Sequence, residues 1–491
     1  MRNTISILLL LLFFLPLVAA EPKKGLIIVT TKTLEAGSQQ LPVFVKEKEK
    51  RGFKVLVATE DEYGGEGVVG QEKAVLIRDW LKTVKKDYGY VLLIGYPHRD
   101  YGDVPMVRFW SREGMSGLIP GMNEWADTDY FYADLGSDWD KNGDGKFGQP
   151  GEFGAGGVTF HADLIPGRIA VYFDNTDELD SALATAVSFM NHTEEFAAAY
   201  RYKFLFPMAI WGFKGMPFIG SNWPEDEDSA GLAEWFIVNY LNDHERVTVA
   251  RMYEREGYKP SQWESELAVS EENIIAEWST GYGMVMWGAH GAPDAISRVV
   301  WREHEGDGDL PLEGEIDWPT MFTWESAHQV TTDAPAFSVA VSCDVGQSQQ
   351  PDNLANHLLI GGAAVGMVAS SVAGPRSKSF WHDMEAPLDT TTFGDDNVGP
   401  LFYINLLAGM AAGEALAAAK SSAGTVMDGE TATAKASFNY FGDPTLKLTD
   451  TVEDIIAEVP SDYDTVTDEE TTPDTDTAAK DDDGGCSLTV I

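Results

Sequence analysis

The chain has 491 residues, 44% of them hydrophobic and 11% aromatic, which suffices for one large or two medium cores. Its formal net charge is −43, from 35 basic and 78 acidic side chains. Such a surface repels nucleic acid and anionic membranes and sets both aside as partners. Solubility alone accounts for the charge, and calcium, cationic peptides or a salty medium also suit it.

The first 20 residues read as an export signal. Arg2 supplies the positive start, residues 5–18 an apolar run, and Val18-Ala19-Ala20 small residues for cleavage before Glu21. The run is shorter than the ~20 residues of a spanning helix. The expected mature chain therefore starts near Glu21 and is secreted or held at the cell surface. There are two cysteines, Cys343 and Cys486, and only the first lies in the region expected to fold. An internal disulfide staple is therefore not expected there.

Residues 24–30 read as a first core strand, 41–51 as a helix, 53–58 as a second strand, 71–86 as an amphipathic helix and 90–95 as a third strand. This alternation implies βαβ units and a parallel sheet. An irregular Gly- and Asp-rich region follows, and residues 163–172 and 177–192 then read as a strand and a helix. A second half starts near Tyr200 with an apolar strand, 204–211. It continues through a helix (229–242), a stretch at 247–253, and two short apolar runs that end at His290 and at Cys343. A helix is expected over 352–360, a final core strand over 361–370 and one long alanine-rich helix over 400–423. The predicted organisation is residues 21–195 and 196–450 as two α/β units, followed by a disordered acidic tail over 451–491.

Two strand ends carry the chemistry. Ala336-Phe-Ser-Val-Ala-Val-Ser342 is a buried-strand sequence that stops at Cys343, and Asp344 and Gly346 then turn the chain. Gly283-Met-Val-Met-Trp-Gly-Ala-His290-Gly291 is the other. Open α/β sheets place their ligands at such strand ends. A thiol reacts as its thiolate and needs a base beside it, which His290 supplies if the two strands are neighbours. The N–H groups of Gly291 and Cys343 are candidates for an oxyanion hole. A histidine about 50 residues ahead of the cysteine is the order of caspase-like enzymes, although their local sequence around the thiol is absent. Packed structural roles for His290 and Cys343 stand as the plainer alternative. Zinc is disfavoured because no Cys/His pair has ligand spacing, and a serine hydrolase because no G-x-S-x-G occurs.

Asp138-Trp-Asp140-Lys-Asn142-Gly-Asp144-Gly145 alternates oxygen side chains with glycine at the turn, as in the first half of a calcium loop. Asp138, Asp140, Asn142 and Asp144 are the candidate ligands. The position of the usual bidentate glutamate, counted from Asp140, holds Gly151, with Glu152 next to it. A surface turn without an ion has the same composition. No organic cofactor is expected.

These stretches together resemble the gingipain-type cysteine peptidases of the caspase-like clan. The resemblance rests on Leu92-Leu-Ile-Gly-Tyr, Asp103-Val-Pro-Met106, Thr128-Asp129-Tyr130, the Asp-rich loop, Gly167-Arg168-Ile169, Gly288-Ala-His290-Gly291 and Ser342-Cys343. Further on come Gly413-Glu-Ala-Leu416 with Lys420 and Phe441-Gly-Asp-Pro-Thr-Leu446, all in order. It implies a caspase-like α/β fold of two side-by-side subdomains with mostly parallel sheets. It also implies an exported endopeptidase acting on proteins or peptides through a thioester acyl-enzyme, with Cys343 as nucleophile and His290 as general acid/base. Some relatives orient the histidine with a carboxylate, for which Glu225, Asp226, Glu227, Asp228 and Glu234 are in range. A transpeptidase using the same thioester, and a calcium-dependent surface binding protein on an inactive peptidase fold, are the alternatives. The run Asp481-Asp-Asp-Gly-Gly-Cys486-Ser looks like the start of bacterial C-terminal sorting signals, which would attach the chain to the cell surface. A plain tail with an incidental thiol stands beside that reading.

Overall fold

The computed structural model describes residues 24–113, 123–218, 221–223, 225–242, 246–302, 313–373, 380–424 and 427–449. The predicted export signal and acidic tail lie outside the described residues. Eleven strands form one sheet: β1 (Gly25–Val29), β2 (Lys54–Ala58), β3 (Tyr90–Gly95), β4 (Ile165–Ala170), β5 (Lys203–Met208), β6 (Thr248–Tyr253), β7 (Leu267–Ala268), β8 (Met284–Gly288), β9 (Ala336–Val341), β10 (Ala364–Ser370) and β11 (Phe438–Gly442). Their order across the sheet is β7-β6-β5-β8-β9-β10-β11-β4-β3-β1-β2. All neighbours run parallel except β10 and β11.

The central strands are apolar throughout because helices cover both faces of a parallel sheet. Leu26 and Ile28 point into one continuous core with the helices Leu41–Lys50, Thr176–Met190, Ala230–Phe236, Asp395–Leu407 and Ala412–Ser422. On the other face Ile27 and Val29 meet the helix Gly70–Val84. There Val285 and Ala340 meet the helices Glu271–Trp278 and Leu354–Ile360. The expected alanine-rich helix over 400–423 is in fact two, Asp395–Leu407 and Ala412–Ser422, separated at Gly409, whose φ of 88° is left-handed.

The two α/β halves lie side by side, and β11 joins them into one sheet. No strand is expected there from sequence, and 361–370 is not the last core strand. Phe438–Gly442 follows the helix Gly429–Ser437 without a connecting loop, so no turn residues separate the two patterns. Several stretches that carry the family resemblance are explained at this seam. Phe441 pairs with Arg168, whose fully buried guanidinium forks onto Asp129 with contacts of 2.7 and 2.6 Å and donates to the Val104 carbonyl at 2.8 Å. The Asp129 N–H donates to Asn439 Oδ1 of β11 at 3.0 Å. Lys48 is buried in an ion pair with Asp443 and donates to Thr445 Oγ1 at 2.6 Å. Removing one partner of such a buried pair costs about 3–5 kcal/mol.

Candidate active site

Neighbouring parallel strands in register carry their chains out of the sheet together. β8 pairs with β9 through Gly288↔Val341. Two residues further, at the C-terminal edge, the chains present His290 and Cys343. The Ala289 N–H continues the ladder to the Val341 carbonyl at 3.3 Å. Gly291 then passes so close that a Cβ on it would stand 2.1 Å from the Cys343 carbonyl oxygen and 3.0 Å from its nitrogen. Glycine is required at 291 because the strand carrying the histidine runs against the backbone that carries the thiol.

His290 and Cys343 line one narrow cleft, with Trp211, Trp223, Ser342 and Asp395 among its other walls. Cys343 is buried and forms no disulfide among the described residues. Asp344 adopts a left-handed φ of 57°, so the chain reverses sharply after the thiol. The turn is pinned on three sides. The Asp344 N–H donates to Val372 O at 3.1 Å, Gly346 N–H to Ser370 O at 2.7 Å, and Asn353 Nδ2 to Val345 O at 2.9 Å. Burial pushes the Asp344 carboxyl up to about 6, opposed by the charge of Arg112.

The imidazole of His290 is half-buried, and its Nε2 lies 2.6 Å from the Trp211 carbonyl oxygen. A carbonyl only accepts, so Nε2 carries the proton and Nδ1 is the basic nitrogen. Trp211 sits in the short strand Ile210–Gly212 that follows β5, which is β8's other neighbour. Two indoles lie against the ring: Trp223 at 6.4 Å between centroids and Trp318 at 4.8 Å. Neither these nor Asp395 could be singled out from sequence, because Trp223 and Asp395 reach the cleft, and Trp318 the imidazole, from separate segments.

The acidic residues proposed to orient the histidine have other contacts. Glu234 accepts from Arg251 and Tyr253, each at 2.6 Å. Asp226 pairs with Lys259, and Asp228 accepts from Ser261 at 2.6 Å. Glu225 and Glu227 lie 3.6 and 3.5 Å from the two nitrogens of His382.

The Asp-rich loop is organised by its own backbone. Asp138 Oδ1 accepts from the Asp140 N–H at 3.2 Å, and Asp140 accepts from the N–H groups of Asp144 and Gly145, both at 3.0 Å. Asn142 Oδ1 accepts from the Asp144 N–H and Asp144 Oδ1 from the Lys146 N–H, both at 2.9 Å. Glu152 is buried and accepts from the N–H groups of Asn142 and Gln149 at 3.2 and 3.1 Å. The oxygen donors suit a hard cation. Among the described residues, however, no three His, Cys, Asp or Glu side chains come together as a metal site.

An α/β sheet with a cysteine and a histidine at neighbouring strand ends suits a cysteine peptidase. The sequence model of peptidase family C25 matches residues 19–449, and the chain belongs to that family of cysteine endopeptidases, whose substrates are proteins. Solved structures share the fold. The Arg specific cysteine proteinase gingipain R is similar over 87% of this chain and 79% of its own, with 16% identity and a TM-score of 0.56. The complex of its pro- and mature domains from Porphyromonas gingivalis is similar over 86% and 79%, with 16% identity and a TM-score of 0.52. A structure described only as a protease is similar over 86% and 78%, with 12% identity and a TM-score of 0.53. No curated protein matches the chain.

Proposed function

We propose that the chain is an exported cysteine endopeptidase whose Cys343 and His290 form the catalytic dyad. The observation that carries this is the shared cleft, reached by the equal two-residue extension of β8 and β9 past an in-register pair. The thiol gives its proton to His290 Nδ1 and the sulfur attacks the scissile carbonyl carbon. A C–S bond forms and the carbonyl electron pair moves to oxygen, which the N–H groups of Cys343 and Gly291 stabilise. The C–N bond then breaks, and the leaving amine takes the proton from the imidazolium. Water next gives a proton to the imidazole and attacks the thioester, releasing the acid and restoring the thiol.

The hydrogen bond from Nε2 to the Trp211 carbonyl supports this role, because it fixes the tautomer that leaves Nδ1 basic. Gingipain R is described as Arg specific. Asp395 places a carboxylate in the present cleft, so peptides with arginine before the scissile bond are the first substrates to offer. Cys343→Ala is expected to abolish peptide hydrolysis, and His290→Ala to reduce kcat by about 10²–10⁴-fold, the contribution of positioned proton transfer. Full activity in either folded variant would remove the dyad.

Export rests on residues 1–20, and N-terminal sequencing of protein from the medium or cell surface should begin near Glu21. Calcium is proposed as a structural ligand of Asp138, Asp140, Asn142 and Asp144, supported by their alternating oxygen donors.

A further inference from the structure

Two indoles of opposite character approach the ring of His290. Trp223 is buried at 4% exposure, while Trp318 is 44% exposed although its ring is the closer to the imidazole, at 4.8 Å and 68°. An exposed tryptophan beside a reactive side chain is a large apolar surface held ready for contact.

Its backbone is rigidly placed. Trp318 precedes Pro319, which confines it to extended conformations. The Pro319 carbonyl accepts from the Arg298 N–H at 3.0 Å, and Asp317 accepts from Arg302 at 2.9 Å. On one side Ile316–Asp317 pairs with Val300–Trp301. On the other, Thr320–Thr323 pairs with Ala295–Ser297, which in turn pairs with His290–Gly291. One small sheet thus carries the histidine at one edge, with the exposed indole just ahead of the other edge strand.

The chemistry assigns a direction to this surface. The imidazolium must reach the amine that departs, so the histidine side of the cleft faces the residue after the scissile bond, P1′. Resting on the dyad proposed above, we propose that Trp318 is a specificity-determining residue. It forms the wall of the P1′ subsite and receives a large apolar or aromatic side chain on the leaving-group side. An amine that intercepts the thioester in place of water would enter over the same wall.

The test uses the full mature chain and a peptide series varied only at P1′, with enzyme concentration set by titration of the reactive thiol. Wild type should prefer phenylalanine over glycine at P1′ by about tenfold or more in kcat/KM, within the range of one added contact in an apolar pocket. Trp318→Ala should bring that ratio close to one, and Trp318→Phe should restore most of it. An unchanged ratio in Trp318→Ala would overturn the subsite, as would equal loss for both peptides, which would make the indole a support for His290 alone. A peptidyl methyl ester, which has no P1′ side chain, reports on the underlying reading. If wild type hydrolyses neither ester nor peptide, the dyad falls and the subsite with it. If it hydrolyses both and the ratio ignores residue 318, only the subsite falls.

Discussion

The cleft at Cys343 and the loop at Asp138–Asp144 both present reactive side chains, but they are built in opposite ways. The cleft draws His290 and Cys343 from separate strands, and the register Gly288↔Val341 brings them together whatever lies between them in sequence. The loop holds its candidate ligands within a few residues, and those ligands accept from the loop's own N–H groups. Long-range strand pairing therefore sets the geometry of the first, and local hydrogen bonding that of the second. Oxygen donors at suitable spacing can serve an ion or serve the backbone, whereas a thiol and an imidazole at adjacent strand ends share a cleft by topology.

Gly291→Ala should have the largest effect. The added methyl would stand 2.1 Å from the Cys343 carbonyl oxygen, and backbone cannot yield as a flexible side chain does. Peptidase activity should fall at least about a hundredfold, with overpacking destabilisation of about 1–3 kcal/mol. Activity within twofold of wild type would show that the two strand ends are not in contact.

Asp344→Asn tests the charge at the turn, since asparagine tolerates the left-handed φ. The folded-state carboxyl titrates near 6 against an ordinary value of 3.8, so its ionisation destabilises the native chain as pH rises between those values. The variant should gain nothing below pH 4 and at most about 3 kcal/mol above pH 6.5. Thermal unfolding at both pH values checks this, and a gain confined to low pH would reverse the sign.

The smallest effect belongs to the loop. If calcium binds there, a chelator should lower Tm by a few degrees, because a ligand of the native state alone stabilises it. Asp140→Ala with Asp144→Ala should abolish the response. A Tm insensitive to chelator would leave the loop as a turn held by its own N–H groups.

Much of this was legible in the sequence. The β–α alternation and both strand ends show because buried parallel strands are uninterrupted apolar runs, as in Ala336–Val341 and Met284–Gly288. β11 was hidden because a helix abuts it without turn residues, and its neighbours β10 and β4 lie far away in sequence. The Trp211 carbonyl that holds His290 is a backbone group, and any residue at 211 could supply it. Asp395 reaches the cleft, and Trp318 the ring of His290, through tertiary placement that carries no local pattern.

The proposed activity requires a nucleophilic thiol at the end of β9, activated from β8. Its most direct test is covalent: incubate the protein with a peptidyl electrophile at neutral pH and locate the adduct by mass spectrometry. A single adduct on Cys343, lost on prior unfolding and strongly slowed in His290→Ala, is the expected result. Labelling of Cys343 at the rate of a simple thiol, unaffected by His290→Ala, would contradict it.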